Sequence, residues 1–575
     1  MNYKRILTIS MLVASVNMLQ AQSFESATDA VKNMGVGWNL GNTLEANNQD
    51  KAKLDPTKAS FWGQQELDSE NCWGQPKTKP ELLKMMKEAG FGAIRVPVTW
   101  YNHMDADGNV NAQWMARVKE VVGYVLDQGM YCIINVHHDT GADSYDEKNN
   151  LTGYHWIKAE GGNYTSNKAK YKKLWQQIAT EFKDYDQELL FESYNEMLDK
   201  YSSWCFASYN TSAKYDATAA ADAYKAINDY AQSFVDVVRA SGGNNAQRNL
   251  VVNTYAACCG SGTWNTHLKD PLTQMKIPTD AATGHLMVQV HDYPNIEGSF
   301  AGVKAEIDDM VSAWKTNFIS KGIPMILGEW GSANVDKGDG KTDYDVRRDV
   351  MLQFADYMVK KCKENNVATF YWMGLTDGAF RTQPLFSQSD LAETIVKAYY
   401  GNTEGYKFPY ADGSSDFICF EGEKAIGWGD GISIVKAAFA VYDKNVKLYL
   451  TFKKTSNDNP DIQFNYGDWS GKIAFYVDGT AYNADYNPGG SIGASQTVAI
   501  TFSETVYNNL RNKGLILQGQ NVTITNAVMK SGTADIKAIT NTTPTDMNIY
   551  NLQGLRVTNP QKGIYIQNGK KYVAK

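Results

Sequence analysis

The sequence predicts an α/β protein in which a (β/α)8 TIM barrel is followed by a β-sandwich domain. Strand-like and helix-like segments alternate eight times between about Gly35 and Gly401, which is the pattern of this barrel. After Gly401 the helical spacing gives way to short strands that alternate apolar and polar residues, as antiparallel sheets do. A doubly wound open sheet is the alternative for the first part, but no GxGxxG motif follows the first strand.

Most of the eight predicted strands are continuous apolar runs, as expected for parallel strands that are buried on both faces. In chain order they read GVGWNLGN, FGAIRVPVTW, YCIINVHHD, LLFESYNE, NLVVNTYA, HLMVQVHDY, PMILGEWG and TFYWMGL. Between them, segments such as ARVKEVVGYVLDQG carry apolar residues at three- and four-residue spacing, which indicates helices with one buried face. The segment KPELLKMMKEAG adds a proline near its start and Gly90 at its end, which are helix start and stop signals.

The N-terminus predicts a secretory signal peptide over residues 1–21. Lys4 and Arg5 precede an apolar segment from Ile6 to Leu19, and Ala21 is a small residue of the kind found at cleavage sites. The segment is too short and too polar at its end to be a membrane span, and a buried N-terminal helix is the alternative. We therefore expect the mature protein to be secreted or held at the outer cell surface, without an integral membrane segment.

Composition changes divide the rest of the chain into four predicted parts. Residues 22–401 form the barrel, and residues 402–416, NTEGYKFPYADGSSD, are expected to be a linker crossed by few contacts. Residues 417–535 contain strands such as KLYLTFKK and KIAFYVDG, which are typical of a β-sandwich. Residues 536–575 form a small β-rich tail.

The overall composition excludes several kinds of partner. The net charge of −7 argues against nucleic acid and against an anionic membrane surface. Aromatic residues make up 12% of the chain, and such flat rings occur on carbohydrate-binding surfaces as well as in large cores. The seven cysteines form no CxxC pair and no Cys/His cluster, so the sequence predicts no zinc site. We expect a monomer that needs no metal and no cofactor.

Polar residues end nearly every predicted strand of the barrel. In a barrel of this kind the active site lies at the carboxyl ends of the strands, so these residues are the candidates for function. They are Asn39 and Asn42 on the first strand, Arg95 on the second, His137, His138 and Asp139 on the third, Asn195 and Glu196 on the fourth, His291 and Tyr293 on the sixth, Glu329 on the seventh and Trp372 on the eighth.

Two glutamates among these residues suggest a reaction. Glu196 and Glu329 end the fourth and seventh strands, so we expect them to face each other across the barrel mouth. Glu329 follows Ile326 and Leu327 in an apolar strand, where an ionised acid is costly unless function requires it. Hydrolysis of a glycosidic bond requires one carboxylic acid that protonates the leaving oxygen and one carboxylate that acts as nucleophile or base.

Other interpretations remain open for individual residues. Arg95 alone would most simply be a buried arginine paired with a carboxylate. His137, His138 and Asp139 suggest a metal-dependent barrel enzyme. Adjacent residues of a strand point to opposite faces, however, so two neighbouring histidines rarely bind the same ion.

At these residues the chain resembles glycoside hydrolase family 5, a family of clan A, and in particular its endoglucanase-type cellulases. The resemblance covers roughly Gly35 to Gly401 and rests on the motifs GWNLGNTLEA, CWGQPKTKPELLKMMKEAGFGAIRVPVTW, NVHHD, YNE, VHDY and GEWG, in the order of the family. Many relatives have proline after the fourth-strand pair, whereas Met197 follows Glu196 here, so we expect the next loop to differ. The positions shared with the family are Arg95, His137, Asn195, Glu196, His291, Tyr293, Glu329 and Trp372.

The resemblance implies a role for each of these residues. Glu329 would be the nucleophile, kept ionised by Arg95 and by the Tyr293 hydroxyl. Glu196 would be the general acid and then the base, with apolar surroundings and the neighbouring anion holding its proton. Asn195 would bind the 2-hydroxyl of the sugar before the cleaved bond. The remaining implied substrate contacts are Asn39, Arg95, His137, His138, His291 and Tyr293, with Trp372 stacked under the ring. Candidates for sugar platforms along the cleft are Trp38, Trp73, Trp100 and Trp204, with packing in the core as the alternative for each.

The resemblance also implies a substrate and functions for the C-terminal parts. It implies a retaining endo-β-1,4-glucanase that cleaves plant β-glucan (cellulose, mixed-linkage glucan or xyloglucan) by double displacement. An endo-β-mannanase, an endo-xylanase and a non-catalytic glycan-binding protein are the alternatives. The sandwich resembles carbohydrate-binding modules, and its only tryptophans, Trp428 and Trp469, lie either on a binding face or in the core. The tail resembles the sorting tails of secreted Bacteroidetes proteins.

Overall fold

The computed structural model describes residues 24–200, 215–261, 267–333 and 342–530, apart from positions 404, 412, 414, 443, 457 and 490–494. It also describes four short strands between positions 549 and 574. The predicted signal peptide, residues 1–21, lies outside the described residues. Among the residues that are described, no helix is long and apolar enough to cross a membrane.

Eight parallel strands close into a barrel, as the sequence predicts. Neighbours along the chain pair with each other, and the last strand pairs with the first. The (β/α)8 prediction is therefore confirmed. The strands are β1 (Val36–Asn39), β2 (Ala93–Val96), β3 (Tyr131–Asn135), β4 (Leu189–Glu192), β5 (Leu250–Cys258), β6 (Leu286–Asp292), β7 (Met325–Trp330) and β8 (Val367–Trp372).

Helices surround the barrel and continue into the C-terminal part. Most barrel helices bury one apolar face against the strands, as the three- and four-residue spacing predicts. In chain order they are α1 (Ala27–Met34), α2 (Pro80–Ala89), α3 (Ala112–Leu126), α4 (Gly161–Glu181), α5 (Ala217–Ala240), α6 (Asp270–Gln274), α7 (Phe300–Asn317), α8 (Asp343–Val346), α9 (Arg348–Glu364), α10 (Ala379–Thr382), α11 (Ser389–Tyr400), α12 (Lys436–Ala440) and α13 (Glu504–Lys513).

Helix α1 closes the amino-terminal end of the barrel, a feature that the sequence analysis did not predict. Its buried face packs against apolar side chains inside the barrel. Ser26 caps the helix by accepting a hydrogen bond from the Asp29 backbone N–H at 3.1 Å. The interior residues of this apolar layer are Ala93, Ile133, Leu190, Val251, Met287, Ile326, Ala368 and Phe370.

The barrel interior becomes polar one pleat further along the strands. Side chains alternate across a strand, so the residue two positions after each apolar interior residue also points inward. On five strands these residues are Arg95, Asn135, Glu192, Asn253 and Gln289, and all are almost completely buried. This polar layer supports the residues at the carboxyl end of the barrel.

The C-terminal part contains two antiparallel sheets that share one core. The six-stranded sheet has the order β9-β18-β11-β16-β13-β14, and the four-stranded sheet has the order β10-β17-β12-β15. The antiparallel strands predicted here are confirmed. The strands are β9 (Phe417–Ala425), β10 (Ile432–Ile434), β11 (Lys447–Lys454), β12 (Asp461–Tyr466), β13 (Phe475–Val477), β14 (Thr480–Tyr482), β15 (Asp485–Tyr486), β16 (Gln496–Thr501), β17 (Leu515–Gln520) and β18 (Val522–Lys530).

More contacts cross between the barrel and the sandwich than the sequence indicated. In the predicted linker, Phe408 is buried in the barrel core, and Pro409 accepts a hydrogen bond from the Phe386 N–H at 2.6 Å. From the barrel side, Phe380 of α10 packs in the sandwich core. Lys79 and Glu421 form an exposed ion pair of 3.0 Å across the same junction. The segment 402–416 is thus packed against the barrel, and the domain boundaries given above stay predictions.

The tail prediction concerns residues that are described only in part. Four strands form an antiparallel sheet in the order β20-β19-β21-β22. Their bounds are β19 (Ile549–Tyr550), β20 (Arg556–Val557), β21 (Gly563–Gln567) and β22 (Lys570–Ala574). The backbone of this segment is thus rich in strands, and its role in sorting stays a prediction.

Candidate active site

Arg95 lies at the centre of the polar layer and holds two carboxylates. Its Nη1 donates to Glu329 Oε1 at 2.6 Å. Its Nε and Nη2 donate to the two oxygens of Glu192 at 2.6 and 2.8 Å. Burial alone would lower the pKa of Arg95, but the charges of Glu192 and Glu329 raise it well above its usual value. Arg95 is therefore a permanent cation in direct contact with the seventh-strand glutamate.

A β-bulge turns Glu329 into the barrel. Strict alternation from Ile326 would place Glu329 on the outer face of β7, but the pairing of β7 shifts after Leu327 against both neighbouring strands. The bulge lies at Gly328, where a Cβ would be 2.2 Å from the Gln289 side chain. Bulges re-aim side chains beside active sites, and only glycine leaves room for this one.

The two oxygens of Glu329 each accept a hydrogen bond. Arg95 holds Oε1, and the Tyr293 hydroxyl donates to Oε2 at 2.7 Å. Burial, followed by the charges of Glu329 and Glu196, raises the pKa of Tyr293 well above its usual value. Tyr293 therefore keeps its proton and remains a donor. Two donors on its two oxygens therefore fix the orientation of the Glu329 carboxylate.

Glu196 and Glu329 lie close together, with His291 between them. One carboxylate oxygen of each glutamate and a ring nitrogen of His291 all lie within 4.8 Å of one another. His291 Nδ1 is 2.9 Å from Glu196 Oε1 and 3.6 Å from Glu329 Oε2. The Glu196 side chain is 38% exposed. Its surroundings are thus wetter than the sequence analysis expected, because it lies at the open rim of the cleft.

The third strand supplies two neutral histidines. Asn135 Oδ1 accepts a hydrogen bond from the Val98 N–H, which leaves Asn135 Nδ2 to donate to His137 Nδ1 at 3.0 Å. The proton of His137 therefore lies on Nε2. Burial lowers the pKa of His137 well below its usual value and that of His138 to about 3.

Two asparagines are positioned by the same arginine. Asn195 Oδ1 accepts from Arg95 Nη2 at 2.8 Å, and Asn39 Oδ1 accepts from Nη1 at 3.0 Å. Asn39 Nδ2 also donates to the Gly328 carbonyl at 2.9 Å. Both polar groups of the Asn39 side chain are thus hydrogen-bonded within the barrel. Asn195 Nδ2, in contrast, has no hydrogen-bond partner among the described residues, so it is available to a ligand.

The candidate aromatic platforms fall into two groups. Trp372 lies at the barrel mouth with its ring nearly parallel to that of His137, at a centroid distance of 6.1 Å. Trp73 is 37% exposed and lies beside His138, with ring centroids 5.2 Å apart. Trp38 and Trp100 are fully buried, so their prediction as platforms is wrong: both pack in the core of the barrel. Trp204 lies outside the described residues.

The alternative metal site at the third strand is already occupied by protein donors. Asp139 accepts hydrogen bonds from the backbone N–H groups of Trp100 and Tyr101 at 2.8 and 2.9 Å and from Trp156 Nε1 at 2.6 Å. Its carboxylate therefore shapes the loop after β2. Within the described part of the chain, Glu196, His291 and Glu329 form the one cluster with the spacing of metal ligands.

Glu192 is the site residue that the sequence analysis missed. It is fully buried, and it also accepts hydrogen bonds from Asn135 at 3.1 Å and Asn253 at 3.2 Å. Burial would raise the pKa of Glu192, but the charge and hydrogen bonds of Arg95 lower it below its usual value. The available signal was an acid in the middle of the apolar run LLFESYNE, two residues after the inward-facing Leu190.

A cavity of about 290 Å³ lies beside His138, and neither Glu196 nor Glu329 is among its lining residues. Amide side chains, imidazole rings and one exposed indole line it. This combination offers hydrogen bonds together with a flat apolar face, as sugar sites require. The lining residues are Asn47, Asn48, Gln49, Trp73, His138, Thr152 and His155.

Comparison with known proteins identifies the family. The model of the family described as cellulase (glycosyl hydrolase family 5) matches residues 54–376. The chain belongs to glycoside hydrolase family 5. It is 31% identical to Endoglucanase B of Neocallimastix patriciarum over 412 residues, which is 69% of this chain and 76% of that protein. This family 5 chain is therefore a glycoside hydrolase of the endoglucanase type.

Solved structures of family 5 enzymes resemble the barrel closely. A GH5-4 broad specificity endoglucanase from an uncultured bacterium is 59% identical and has a TM-score of 0.61, covering 67% of this chain and 99% of its own. A family 5 enzyme from Prevotella bryantii B14, solved as a mutant in complex with a xyloglucan tetradecasaccharide, is 40% identical with a TM-score of 0.54. That match covers 65% of this chain and 99% of the Prevotella chain.

Proposed function

We propose that this protein is a secreted endo-β-1,4-glucanase that retains the anomeric configuration. The observation that carries the proposal is the separation of Glu196 and Glu329, because one carboxylate oxygen of each lies within 4.8 Å of the other. Retaining glycosidases place their two carboxyl groups roughly 5–5.5 Å apart, whereas inverting enzymes leave about 6.5–9.5 Å for a water molecule. The short separation favours a covalent intermediate.

In the first step Glu329 attacks the anomeric carbon while Glu196 protonates the departing oxygen. Arg95 and Tyr293 hold both oxygens of Glu329, which keeps it ionised and aimed. The glycosidic bond breaks and an ester bond forms between the sugar and Glu329. Asn195 Nδ2 donates to the 2-hydroxyl, where hydrogen bonds strengthen as the transition state forms.

In the second step water cleaves the ester. Glu196, now ionised, removes a proton from the water as its oxygen attacks the anomeric carbon. The partial exposure of Glu196 suits this step because water reaches it from the open cleft. His291, 2.9 Å from Glu196, orients the carboxylate in both steps. Two inversions at one carbon give a product of the original configuration.

The substrate class is a β-1,4-glucan. Trp73 and the polar cavity beside His138 supply a sugar platform and hydrogen-bonding groups beyond the cleavage site. The similar proteins are named as endoglucanases, one of them as broad specificity and another solved with a xyloglucan oligosaccharide. These observations favour cellulose, mixed-linkage glucan and xyloglucan over mannan and xylan. The N-terminal sequence pattern is the support for secretion.

Two variants test the mechanism. Glu329→Gln and Glu196→Gln should each nearly abolish hydrolysis of carboxymethylcellulose, because the amide has the shape of the acid but cannot ionise or donate a carboxyl proton. Glu196→Gln should retain more activity on an aryl cellobioside, whose leaving group needs no proton. Near wild-type activity of either variant on the polysaccharide would overturn the assignment.

Stereochemistry and substrate range test the remainder of the proposal. Proton NMR should show the β-anomer as the first product, whereas the α-anomer would establish inversion. A panel of carboxymethylcellulose, lichenan, xyloglucan, glucomannan and xylan decides between glucanase, mannanase and xylanase. Activity that is lost with EDTA and restored by a divalent cation would point to a metal at Glu196, His291 and Glu329. We expect no such loss, because the Arg95 cation lies 2.6 Å from Glu329.

A further inference from the structure

Helix α10 lies between the barrel mouth and the sandwich. It follows β8 after a short loop, and its apolar residues pack into the sandwich core. The ring of Phe380 meets that of Phe417, on β9, at a centroid distance of 4.9 Å. At the start of α10, a Cβ on Gly378 would lie 3.2 Å from Val435 Cγ1 of the sandwich. The helix is thus attached to the C-terminal part of the chain.

Arg381 attaches the same helix to the barrel mouth. It is buried, and its Nη1 donates to the Gly41 carbonyl at 2.8 Å while its Nε donates to the Thr376 carbonyl at 3.0 Å. Its guanidinium lies 5.0 Å from the centre of the Trp38 ring. One planar side chain therefore joins the loop after β8 to the loop after β1. The guanidinium can do this because its N–H donors point in different directions.

Gly41 in turn supports Trp372. A Cβ on Gly41 would lie 3.0 Å from both Cη2 and Cζ2 of the Trp372 indole. The edge of the ring therefore rests directly on the Gly41 main chain. Because Trp372 is the proposed stacking partner of the sugar, a shift of Gly41 changes the surface that receives the substrate.

Hydrogen bonds to Glu45 hold this loop as well. Glu45 is buried and accepts hydrogen bonds from the backbone N–H groups of Asn42 and Thr43. Burial raises the pKa of Glu45 to about 7, against the lowering effect of these N–H groups and of Arg381. Burial likewise lowers the pKa of Arg381 to about 10, so it remains charged at neutral pH beside Glu45.

We propose that the sandwich positions Trp372 through the contact series Phe417, Phe380, Arg381 and Gly41, with Arg381 as a positioning residue. This inference rests on the proposed role of Trp372 as a sugar contact. It gives the C-terminal domain a part in the reaction on soluble substrates, in addition to any binding of polysaccharide.

A matched pair of full-length variants tests the proposal. Phe417→Leu removes the ring contact with Phe380, whereas Phe464→Leu alters a sandwich core position on β12 that packs against Phe475. Phe417→Leu should lower kcat/KM on an aryl cellobioside by about tenfold, less than the roughly 100-fold of a 1 Å misplacement. Its pH profile should not change, because Glu196 and Glu329 are not altered. Phe464→Leu should keep wild-type kinetics.

Hydrogen exchange gives a second readout that does not depend on activity. Phe417→Leu should accelerate exchange of the backbone amides of residues 40–45 several-fold, and Phe464→Leu should not. Equal exchange in both variants, or faster exchange with unchanged kinetics, overturns the proposal. If the wild-type protein were inactive, the proposed function would be refuted instead. The exchange comparison between the two variants would still show whether the sandwich is coupled to residues 40–45.

A third variant covers the case in which Phe417→Leu does not fold. Arg381→Lys keeps the positive charge beside Glu45 but loses the planar fork that reaches both Gly41 and Thr376. It should lower kcat/KM to a similar degree and accelerate the same amides, with the melting temperature of the sandwich unchanged. Wild-type kinetics in Arg381→Lys would overturn the proposal.

Discussion

At the scale of single residues, the site depends on one arginine that serves two acids with different tasks. Glu192 is fully buried and accepts hydrogen bonds from Arg95 Nε and Nη2, while Glu329, at the edge of the cleft, accepts one from Arg95 Nη1. Without Glu192, Arg95 would be a buried cation with a single carboxylate partner, and it would hold Glu329 less firmly. A structural ion pair and a functional one thus share one side chain.

This arrangement predicts that Arg95→Lys is severely impaired. Lysine carries the charge but cannot direct separate N–H groups at Glu192, Glu329 and Asn195. We expect kcat on carboxymethylcellulose to fall by roughly 100-fold or more, as when a preorganised donor is removed. The matched control is Arg117→Lys, another buried arginine paired with a glutamate, which should lose stability but keep its kcat. Comparable kcat losses in both variants would contradict the prediction.

A second residue-level prediction concerns stability and pH. Asp292 is buried beside Cys259 and Ser261, and its Oδ2 has no partner among the described residues. Burial, together with the charge of Glu306, raises its pKa to about 7 from an ordinary value near 3.8. A raised pKa means that the folded state binds the proton more tightly than the unfolded state. This contribution to stability is complete below about pH 4 and is lost as the pH rises through 7.

Asp292→Asn should therefore stabilise the folded protein most at high pH, because the amide never ionises. We expect the difference in melting temperature, variant minus wild type, to be a few degrees larger at pH 8 than at pH 5. The measurement is thermal unfolding of both proteins at the two pH values. An equal difference at both would show that Asp292 does not titrate in this range.

At the scale of elements, apolar runs were sufficient to place the eight barrel strands but not to orient every side chain. The alternation rule finds Arg95 and explains Glu192. It fails at Glu329, because the bulge at Gly328 reverses the facing of the residues that follow. A bulge depends on contacts with neighbouring strands, which local sequence does not encode. Glu329 was found because it ends an apolar strand, not because its orientation was known.

Two glycines show how position within an element decides the effect of one methyl group. Gly37 lies on β1, where a Cβ would be 2.3 Å from Phe370 Cδ1 inside the barrel, whereas Gly123 lies in α3 with open space around it. Gly37→Ala should lower the free energy of unfolding by about 1–3 kcal/mol through overpacking. Gly123→Ala should raise it by about 0.5–1 kcal/mol through helix propensity. Urea unfolding of both variants checks the pair, and effects of the same sign would refute it.

At the scale of the whole molecule, the sequence predicted a barrel followed by antiparallel sheets but missed how the two parts join. The composition change after Gly401 marks the change of architecture. The junction itself depends on Phe380, which lies within the predicted barrel yet packs against Phe417. Nothing local distinguishes Phe380 from a barrel core residue, because its partner belongs to another sheet.

The two sandwich tryptophans are exposed, which excludes the core packing that the sequence left open. Trp428 is 52% and Trp469 is 53% exposed, and their turns lie at opposite ends of β17. A six-residue strand spans roughly 17–20 Å, so the two rings act as separate contacts. Trp469 also has a positive φ of 58°, a strained conformation for a bulky residue that often marks a functional position.

Amide side chains occupy the sheet face between these turns. Gln463 and Asn465 alternate with core residues of β12, and Gln518 alternates with core residues of β17, so all three point away from the shared core, yet they are only 4%, 6% and 8% exposed. Gln518 donates to Gln463 at 2.7 Å. Gln463 also donates to Asp485 at 2.5 Å, so these amides hydrogen-bond within the protein. We therefore expect polysaccharide to contact the two exposed tryptophan rings at the ends of β17, and not the amides between them.

Retention on insoluble cellulose tests this expectation independently of catalysis. In a Glu329→Gln background, Trp428→Ala and Trp469→Ala should each reduce the fraction of protein that sediments with cellulose. The double variant should lose more retention than either single variant, because binding through one ring raises the effective concentration of the other ring at the cellulose surface. The matched control is Tyr476→Ala, an exposed aromatic on the six-stranded sheet, which should bind as before. Unchanged retention of the double variant would leave the sandwich with its supporting role alone, because the same domain would still contact α10.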